Sequence, residues 1–185
     1  MSPLLVVPAA WAPEFCREVQ RAMDEGDAGA AEILDGDMTR QDEVRRALDI
    51  TVADACLALV DAALTIERDR TARHFGIQLS GSVGASCLRY LPGGHYRRHR
   101  DRDPDMAGDT SNRVVTVVVW LDSADTPTVP GSFSGGTLVV TNPVSGEDHH
   151  VIPVVGTLVA FPAEWPHEVL PVTRGIRDVV VDWWT

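Results

Sequence analysis

The sequence predicts an α+β fold in which N-terminal helices buttress a C-terminal jelly roll, a double-stranded β-helix. Three observations predict it. Residues 52–74 carry a long apolar stripe at helical spacing. From about Ile77 the texture changes to short apolar or alternating runs separated by Gly, Pro, Asp and Ser, the signature of a sandwich, barrel or jelly roll. The chain has 185 residues, 44% of them hydrophobic, which suits one domain with its own core, and it contains no linker, internal repeat or low-complexity segment. The expected organisation is a single domain over 1–185, with a helical support region at 1–76 and the jelly-roll core at 77–185.

The elements follow in order. Leu4 to Val7 reads as a short strand ended by Pro8. Pro13-Glu14 opens a helix running to about Asp24, with Phe15, Val19 and Met23 at helical spacing and Gly26 to Gly29 as its break. Ala31 to Leu34 is a candidate short strand, and Thr39-Arg40-Gln41-Asp42 a turn or helix cap before Val44 to Leu48. The strongest helix spans Val52 to about His74. Its stripe of Ala53, Cys56, Leu57, Val60, Ala63 and Leu64 is expected to pack on a sheet. The strand candidates beyond it are Ala85–Leu91, Val114–Leu121, Thr137–Thr141, His149–Val154, Thr157–Phe161, Glu168–Val172 and Arg177–Trp184.

Charge and cysteines exclude several functions. A net charge of −11 and a pI near 4.8 give a surface that repels a phosphate backbone, against general nucleic-acid binding. The one basic cluster, Arg97-Arg98-His99-Arg100-Asp101-Arg102, is short and interrupted, and reads as the rim of a site for an anionic ligand. Three widely spaced cysteines, Cys16, Cys56 and Cys87, form neither a disulfide framework nor a structural zinc site. The N-terminal apolar run has no basic residue before it and is too short to span a bilayer. A cytoplasmic protein without membrane attachment is expected, and the oligomeric state is open.

Chemistry concentrates in the C-terminal half. His99 and Asp101 lie on one side of a strand or of the turn after it, because side chains alternate with period two. His167 comes from another strand, and a jelly roll brings such strands together at its mouth. Two imidazoles and a carboxylate make the 2-His-1-carboxylate facial triad, which holds non-haem Fe(II) on one face and leaves the other open. The remaining histidines read as surface or core residues, with His95 close enough to line the site. In the last strand, Arg177 shares a face with Val179, Val181 and Trp183. A half-buried arginine there needs an anion. The candidates are an internal salt bridge to Glu168 or Asp182 and, given the iron triad, the distal carboxylate of 2-oxoglutarate, which the planar fork pairs bidentately. Arg174, beside Gly175 in a turn, is the competing anchor.

These residues carry a family resemblance. Tyr90, Tyr96-Arg97-Arg98-His99-Arg100-Asp101, Arg113-Val114-Val115-Thr116, Trp120-Leu121, Gly135-Gly136, Pro153-Val154-Val155-Gly156, Phe161, and His167-Glu168-Val169-Leu170-Pro171-Val172 followed by Gly175 and Arg177 stand in the order of a known pattern. Over roughly residues 85 to 185 the chain resembles the Fe(II)/2-oxoglutarate-dependent dioxygenases, and among them the prolyl 4-hydroxylase-like group. The resemblance implies that His99, Asp101 and His167 bind iron, and that Arg177 binds the C5 carboxylate of 2-oxoglutarate with help from the Tyr90 hydroxyl. Tyr96, Arg113 and Trp120 fall on the substrate side. It also implies Fe(II) as the cofactor, 2-oxoglutarate and O₂ as cosubstrates, ascorbate as an accessory reductant, and succinate and CO₂ as products. Arg177 replaces the Lys of many collagen-type members, and Trp120 replaces a frequent Tyr. Asp101 favours hydroxylation or desaturation, since the related halogenases lack this carboxylate.

The expected activity is hydroxylation of a small molecule, such as an amino acid or a biosynthetic intermediate. The alternatives are a peptidyl or protein prolyl hydroxylase and, from another class, a cupin-like module that holds metal without turnover. Three loops are expected to select substrate: Arg102–Asn112, Ser123–Ser134 and Ala30–Asp49. The arginines near the site, Arg97, Arg98, Arg100, Arg102 and Arg113, point to a substrate with a carboxylate or phosphate.

Overall fold

The structure, a computed structural model, describes residues 4–31, 33–35, 37–39, 43–102, 110–125 and 131–185, with the backbone alone at 33–35 and 37–39. The first half contains β1 (Leu5–Val7), α1 (Pro13–Glu25), β2 (Asp27–Ala30), β3 (Ile33–Asp35), β4 (Asp37–Thr39), β5 (Arg45–Arg46), β6 (Leu48–Thr51) and α2 (Asp54–Phe75). The second half contains β7 (Ser86–Tyr90), β8 (His95–His99), β9 (Val115–Trp120), β10 (Ser134–Gly135), β11 (Leu138–Thr141), β12 (Asp148–Val151), β13 (Leu158–Pro162), β14 (His167–Val169), β15 (Val172–Arg174) and β16 (Arg177–Trp184).

The fold is the expected one, mostly antiparallel sheet with two supporting helices. A seven-stranded sheet runs β1-β13-β9-β16-β7-β6-β2 and faces a five-stranded sheet, β12-β11-β14-β8-β5. Two small ribbons, β10-β15 and β3-β4, complete the pairing. Alternation along two central strands makes two cores. Val115, Val117 and Val119 of β9 and Val180 and Trp184 of β16 face the helices, meeting Cys16, Val19 and Met23 of α1 and Val60 and Leu64 of α2. Val118 and Trp120 of β9 and Val179 and Val181 of β16 turn inward, toward Leu138, Val140 and Val169 of the five-stranded sheet.

Local chemistry explains the helix ends. Pro13 starts α1 with its φ preset and no N–H to satisfy. α2 ends at Gly76, a left-handed cap at φ +67 whose N–H donates to the Ala72 carbonyl. Gly26 is required by close approach, since a Cβ there would meet the Thr51 carbonyl oxygen at 2.5 Å.

The structure departs from the expected elements mainly in the first half. The 26–29 break carries β2, which pairs with β6 from Asp27↔Thr51 to Ala30↔Leu48. The strand expected at Ala31–Leu34 begins at Ile33. Of the expected turn at 39–42, residues 40–42 lie outside the described residues, and the segment after it forms β5 and β6. Both strands join the main sheets, β6 against β7 and β5 against β8. Residues 1–76 therefore supply sheet edges as well as helical support. In the second half, His95–His99 is a strand where no apolar run announces one, and the 168–172 segment is split between β14 and β15.

Candidate active site

His99 closes β8, His167 opens β14, and the two are register partners. The pairing slips between His167 and Val169, where two steps along β14 span three along β8. Asp101 lies just past the strand end, its backbone N–H donating to the Ala163 carbonyl at 3.0 Å. One ligand atom from each of His99, Asp101 and His167 lies within 4.8 Å of the others.

Each of the three side chains is held from behind. His99 Nδ1 lies 2.8 Å from the Arg97 carbonyl and His167 Nδ1 lies 2.9 Å from the Trp165 carbonyl. A carbonyl only accepts, so both Nδ1 atoms carry the proton and both Nε2 lone pairs face inward. Thr116 Oγ1 donates to Asp101 Oδ2 at 2.6 Å. The inward atoms meet one another, with His99 Nε2 3.5 Å from Asp101 Oδ1 and His167 Nε2 3.2 Å from Asp101 Oδ2. Burial, with the neighbouring His167, pushes His99 down to about 4, which keeps it neutral as a ligand must be. Burial raises Asp101, but the two histidines outweigh it and hold the carboxyl well below its usual range. Burial lowers His167, but Asp101 and the Trp165 carbonyl outweigh it and raise this imidazole, so a metal must displace a proton from its Nε2. Two imidazoles and one carboxylate converging on a point are a donor set that Fe(II) fits.

The cluster opens onto a cavity of about 420 Å³, measured out to its mouth. Its walls are apolar, from Leu88, Val118, Leu138, Val169, Val179 and Val181. Arg177 also lines it, 1% exposed, with its Cζ 4.8 Å from the Tyr90 ring centroid. Arg177 Nε and Nη1 have no hydrogen-bond partner among the described residues. Neither expected internal partner takes it. Glu168 reaches Arg98 at 3.5 Å, and Asp182 accepts from Ser82 and from Trp184 Nε1. Burial pushes the Arg177 guanidinium below its ordinary value, while Tyr90 and the carboxylates of Asp122 and Asp178 act the other way. Arg174, the competing anchor, is exposed and ion-paired with Asp125.

The other expected site residues are less uniform. Tyr90 and Tyr96 line the cavity, and Tyr96 stacks on His99 with centroids 3.4 Å apart and planes 16° apart. Arg113 is set back from the wall. Its Nη1 donates a long 3.5 Å bond to the Asp101 carbonyl, and its Cζ sits 3.9 Å from the Trp183 ring centroid. Trp120 is fully buried in the inner core and is not on the cavity wall, because its place on β9 lies between the packed sheets. His95 is also off the wall, its ring nitrogens meeting the Gly93 and Glu43 carbonyls. Arg97, Arg98 and Arg100 are exposed, and Arg98 is paired with Asp148 and Glu168. Much of the three candidate specificity loops, at 32, 36, 40–42, 103–109 and 126–130, lies outside the described residues.

Three residues are added to the site. Thr116 orients Asp101; its sequence signals are its place in the Arg113-Val114-Val115-Thr116 motif and a hydroxyl in a run of valines. Trp183 lines the mouth on the Arg177 face of β16. Arg45 lines it from β5, a two-residue strand with no sequence signal.

Comparison with known proteins agrees with this geometry. Residues 85–185, more than half of the chain, match the family model of the 2OG-Fe(II) oxygenase superfamily. The chain belongs to that superfamily, whose members are dioxygenase enzymes dependent on 2-oxoglutarate and Fe(II). It is 33% identical over 96 residues to a PKHD-type hydroxylase of Crocosphaera subtropica, a match covering 51% of this chain and 39% of the relative. The chain thus spans about two fifths of that curated relative's length. Among solved structures it is similar to a prolyl-4-hydroxylase of Pseudomonas putida, with a TM-score of 0.74, 26% identity, and coverage of 98% of this chain and 91% of that one. It shares the fold of a prolyl hydroxylase from Trichoplax adhaerens solved with a hypoxia inducible factor peptide, with a TM-score of 0.76, 18% identity, and coverage of 100% and 84%.

Proposed function

We propose that the chain is an Fe(II)- and 2-oxoglutarate-dependent hydroxylase of a small molecule, such as an amino acid or a biosynthetic intermediate. One observation carries this reading: a fully buried arginine with two unsatisfied nitrogens lines the same apolar cavity as a converging His-Asp-His cluster. In it, His99, Asp101 and His167 hold Fe(II), and Arg177 with Tyr90 holds the C5 carboxylate of 2-oxoglutarate. Bound there, the metal and cosubstrate supply the oxidant from O₂, with succinate and CO₂ as co-products.

The chain's own residues do the rest. The Arg97 and Trp165 carbonyls fix the imidazole tautomers, and Thr116 fixes the carboxylate. The apolar wall keeps water from the reacting centre and strengthens the pairing of Arg177 with a carboxylate. Asp101 in the third ligand position favours oxygen transfer over halogenation.

The test is release of succinate from 2-oxoglutarate on addition of Fe(II), with and without candidate substrates. His99→Ala and His167→Ala are expected to abolish it. The reading fails if the wild type gives neither coupled nor uncoupled turnover, which would leave a metal-holding module without catalysis. A second reading, peptidyl-prolyl hydroxylation, is favoured by the likeness to the Pseudomonas putida prolyl-4-hydroxylase. Turnover stimulated by prolyl peptides and not by free small molecules would select it.

A further inference from the structure

Arg177 has a charged neighbour that does not line the cavity. The antiparallel pairing of β9 and β16 runs through Trp120↔Val179, and beyond it the Leu121 N–H donates to the Asp178 carbonyl at 3.1 Å. One step further along the two chains stand Asp122 and Arg177. Gln20 of α1 donates to Asp122 Oδ2 at 3.2 Å. Asp122 Oδ1 is buried without a hydrogen-bond partner among the described residues, and so are Arg177 Nε and Nη1. A carboxylate and a guanidinium thus stand side by side in the interior, each incompletely satisfied and each acting on the other by charge.

The groups that face Asp122 come from three elements. α1 brings Gln20 and the Cys16 thiol, which burial pushes up to about 11 and so keeps protonated. β16 brings Arg177 and Asp178, and the stretch before β10 brings Ser132. Asp178 is already held, since Arg89 donates to both of its oxygens, at 2.8 and 2.9 Å. Burial, with the Asp178 charge, pushes the Asp122 carboxyl up to about 7, and Arg177 is the cation that acts against them. A C5 carboxylate paired with Arg177 takes over the guanidinium charge and sets a second negative charge close to Asp122. Two carboxylates beside one buried cation repel, and the repulsion favours the protonated form of the one not bonded to it.

The geometry points to Asp122 as a positioning residue that acts through Arg177. It supplies the counter-charge of the guanidinium in the free chain, and it takes up a proton from solvent when the C5 carboxylate of 2-oxoglutarate pairs with Arg177. The inference rests on the dioxygenase reading of the site and deepens it, because it names a regulation of cosubstrate binding by pH. The sign follows from linkage: a ligand that raises the pKa of a group binds most tightly while that group is protonated. Affinity for 2-oxoglutarate is therefore level below the ionisation of Asp122 in the free chain. Above it the affinity falls, by up to about tenfold per pH unit, until the ionisation of the complex is passed. The carboxylates of the cosubstrate ionise near about pH 4, below this window.

The test is a calorimetric titration of the full chain with 2-oxoglutarate, with Zn(II) at saturation in place of iron. It runs from about pH 6 to about pH 8.5, in two buffers of different ionisation enthalpy, so that protons taken up on binding are counted. In the wild type the dissociation constant is expected to rise about tenfold or more across this range, with proton uptake above pH 7. Asp122→Asn is expected to keep its low-pH affinity throughout and to lose that uptake. A role in packing alone would shift affinity by the same factor at every pH. Titrations of the metal site are common to both chains and cancel in the comparison. Asp148→Asn, at an exposed carboxylate paired with Arg98, should retain the wild-type profile. The inference is overturned if wild type and Asp122→Asn give parallel profiles, or if the wild type takes up no proton that the variant lacks. Arg177→Met separates this from a failure of the dioxygenase reading. If the wild type does not bind 2-oxoglutarate, or if Arg177→Met binds it equally well, the anchor is misassigned and the inference falls with it. Parallel profiles with an intact dependence on Arg177 overturn the inference alone.

Discussion

Thr116 is a single hydroxyl on which the geometry of Asp101 depends. Its 2.6 Å bond fixes the plane of a carboxylate that would otherwise rotate toward either histidine. Thr116→Val keeps the shape and removes the donor, and groups that orient metal ligands are worth about 10- to 100-fold in metal affinity. A loss of that size, measured by Co(II) or Fe(II) titration, is expected; unchanged affinity would mean that Asp101 is oriented by packing alone. Asp122 is a different kind of residue. Burial, with the nearby Asp178 charge, pushes its carboxyl up to about 7, while Arg177 pulls it down. Gln20 donates to one oxygen at 3.2 Å, and the other oxygen has no hydrogen-bond partner among the described residues. The unfolded carboxyl ionises near 3.8, so between that pH and 7 the unfolded chain has released a proton that the folded chain keeps. Stability therefore falls as pH rises through this window, and the loss is complete above it. Asp122→Asn escapes the loss. Its stability advantage over the wild type in urea melts should grow by about 1–2 kcal/mol between pH 5 and pH 8. A gap that does not change with pH would place the Asp122 pKa back in the ordinary range.

At the scale of elements, the Gly135-Gly136 turn and β16 depend on each other. Gly136 has φ +65, and a Cβ there would sit 2.7 Å from Arg177 Cδ. Gly136→Ala is expected to cost about 1 kcal/mol through its left-handed backbone. By displacing the Arg177 stem it should also raise the 2-oxoglutarate requirement about tenfold or more, given how steeply misplacement affects reactivity. A lowered melting temperature with an unchanged requirement would separate Gly136 from the anchor. The same elements explain what was legible in the sequence. Arg177 stands out because alternation along β16 puts it among valines, and β9 reads plainly because it is buried on both faces. β8 does not read as a strand: His-Tyr-Arg-Arg-His has no apolar face, since one side of it is the site itself. β2 and β5 are set by their partners, through pairings with β6 and β8 that no local propensity announces. The Arg45 contact was hidden for the same reason. The motif fixes the position of Trp120 in the chain and so points to the substrate wall, whereas its burial depends on how the two sheets close over it.

At the scale of the whole molecule, metal and cosubstrate binding should appear as stability. A ligand that binds only the folded chain adds about 2.7 kcal/mol at 100 times its dissociation constant. Zn(II) with 2-oxoglutarate should therefore raise the melting temperature together. Arg177→Met should keep the metal increment and lose that of 2-oxoglutarate; retention of both would move the carboxylate anchor elsewhere. Among the described residues no helix is long and apolar enough to cross a membrane.

The strand order has one more consequence. The segment that matches the family begins at residue 85, yet β6 covers the free edge of β7 and β5 covers that of β8. A fragment cut at residue 85 would hold His99, Asp101, His167 and Arg177, but with three bare strand edges, since β1 on β13 is lost as well, and with Val115, Val117, Val119, Val180 and Trp184 stripped of their helices. It would carry the whole recognisable chemistry and self-associate instead of folding. The portable unit, for grafting or for recombination, must therefore carry the stretch from β1 through α2, even though no signature residue lies within it.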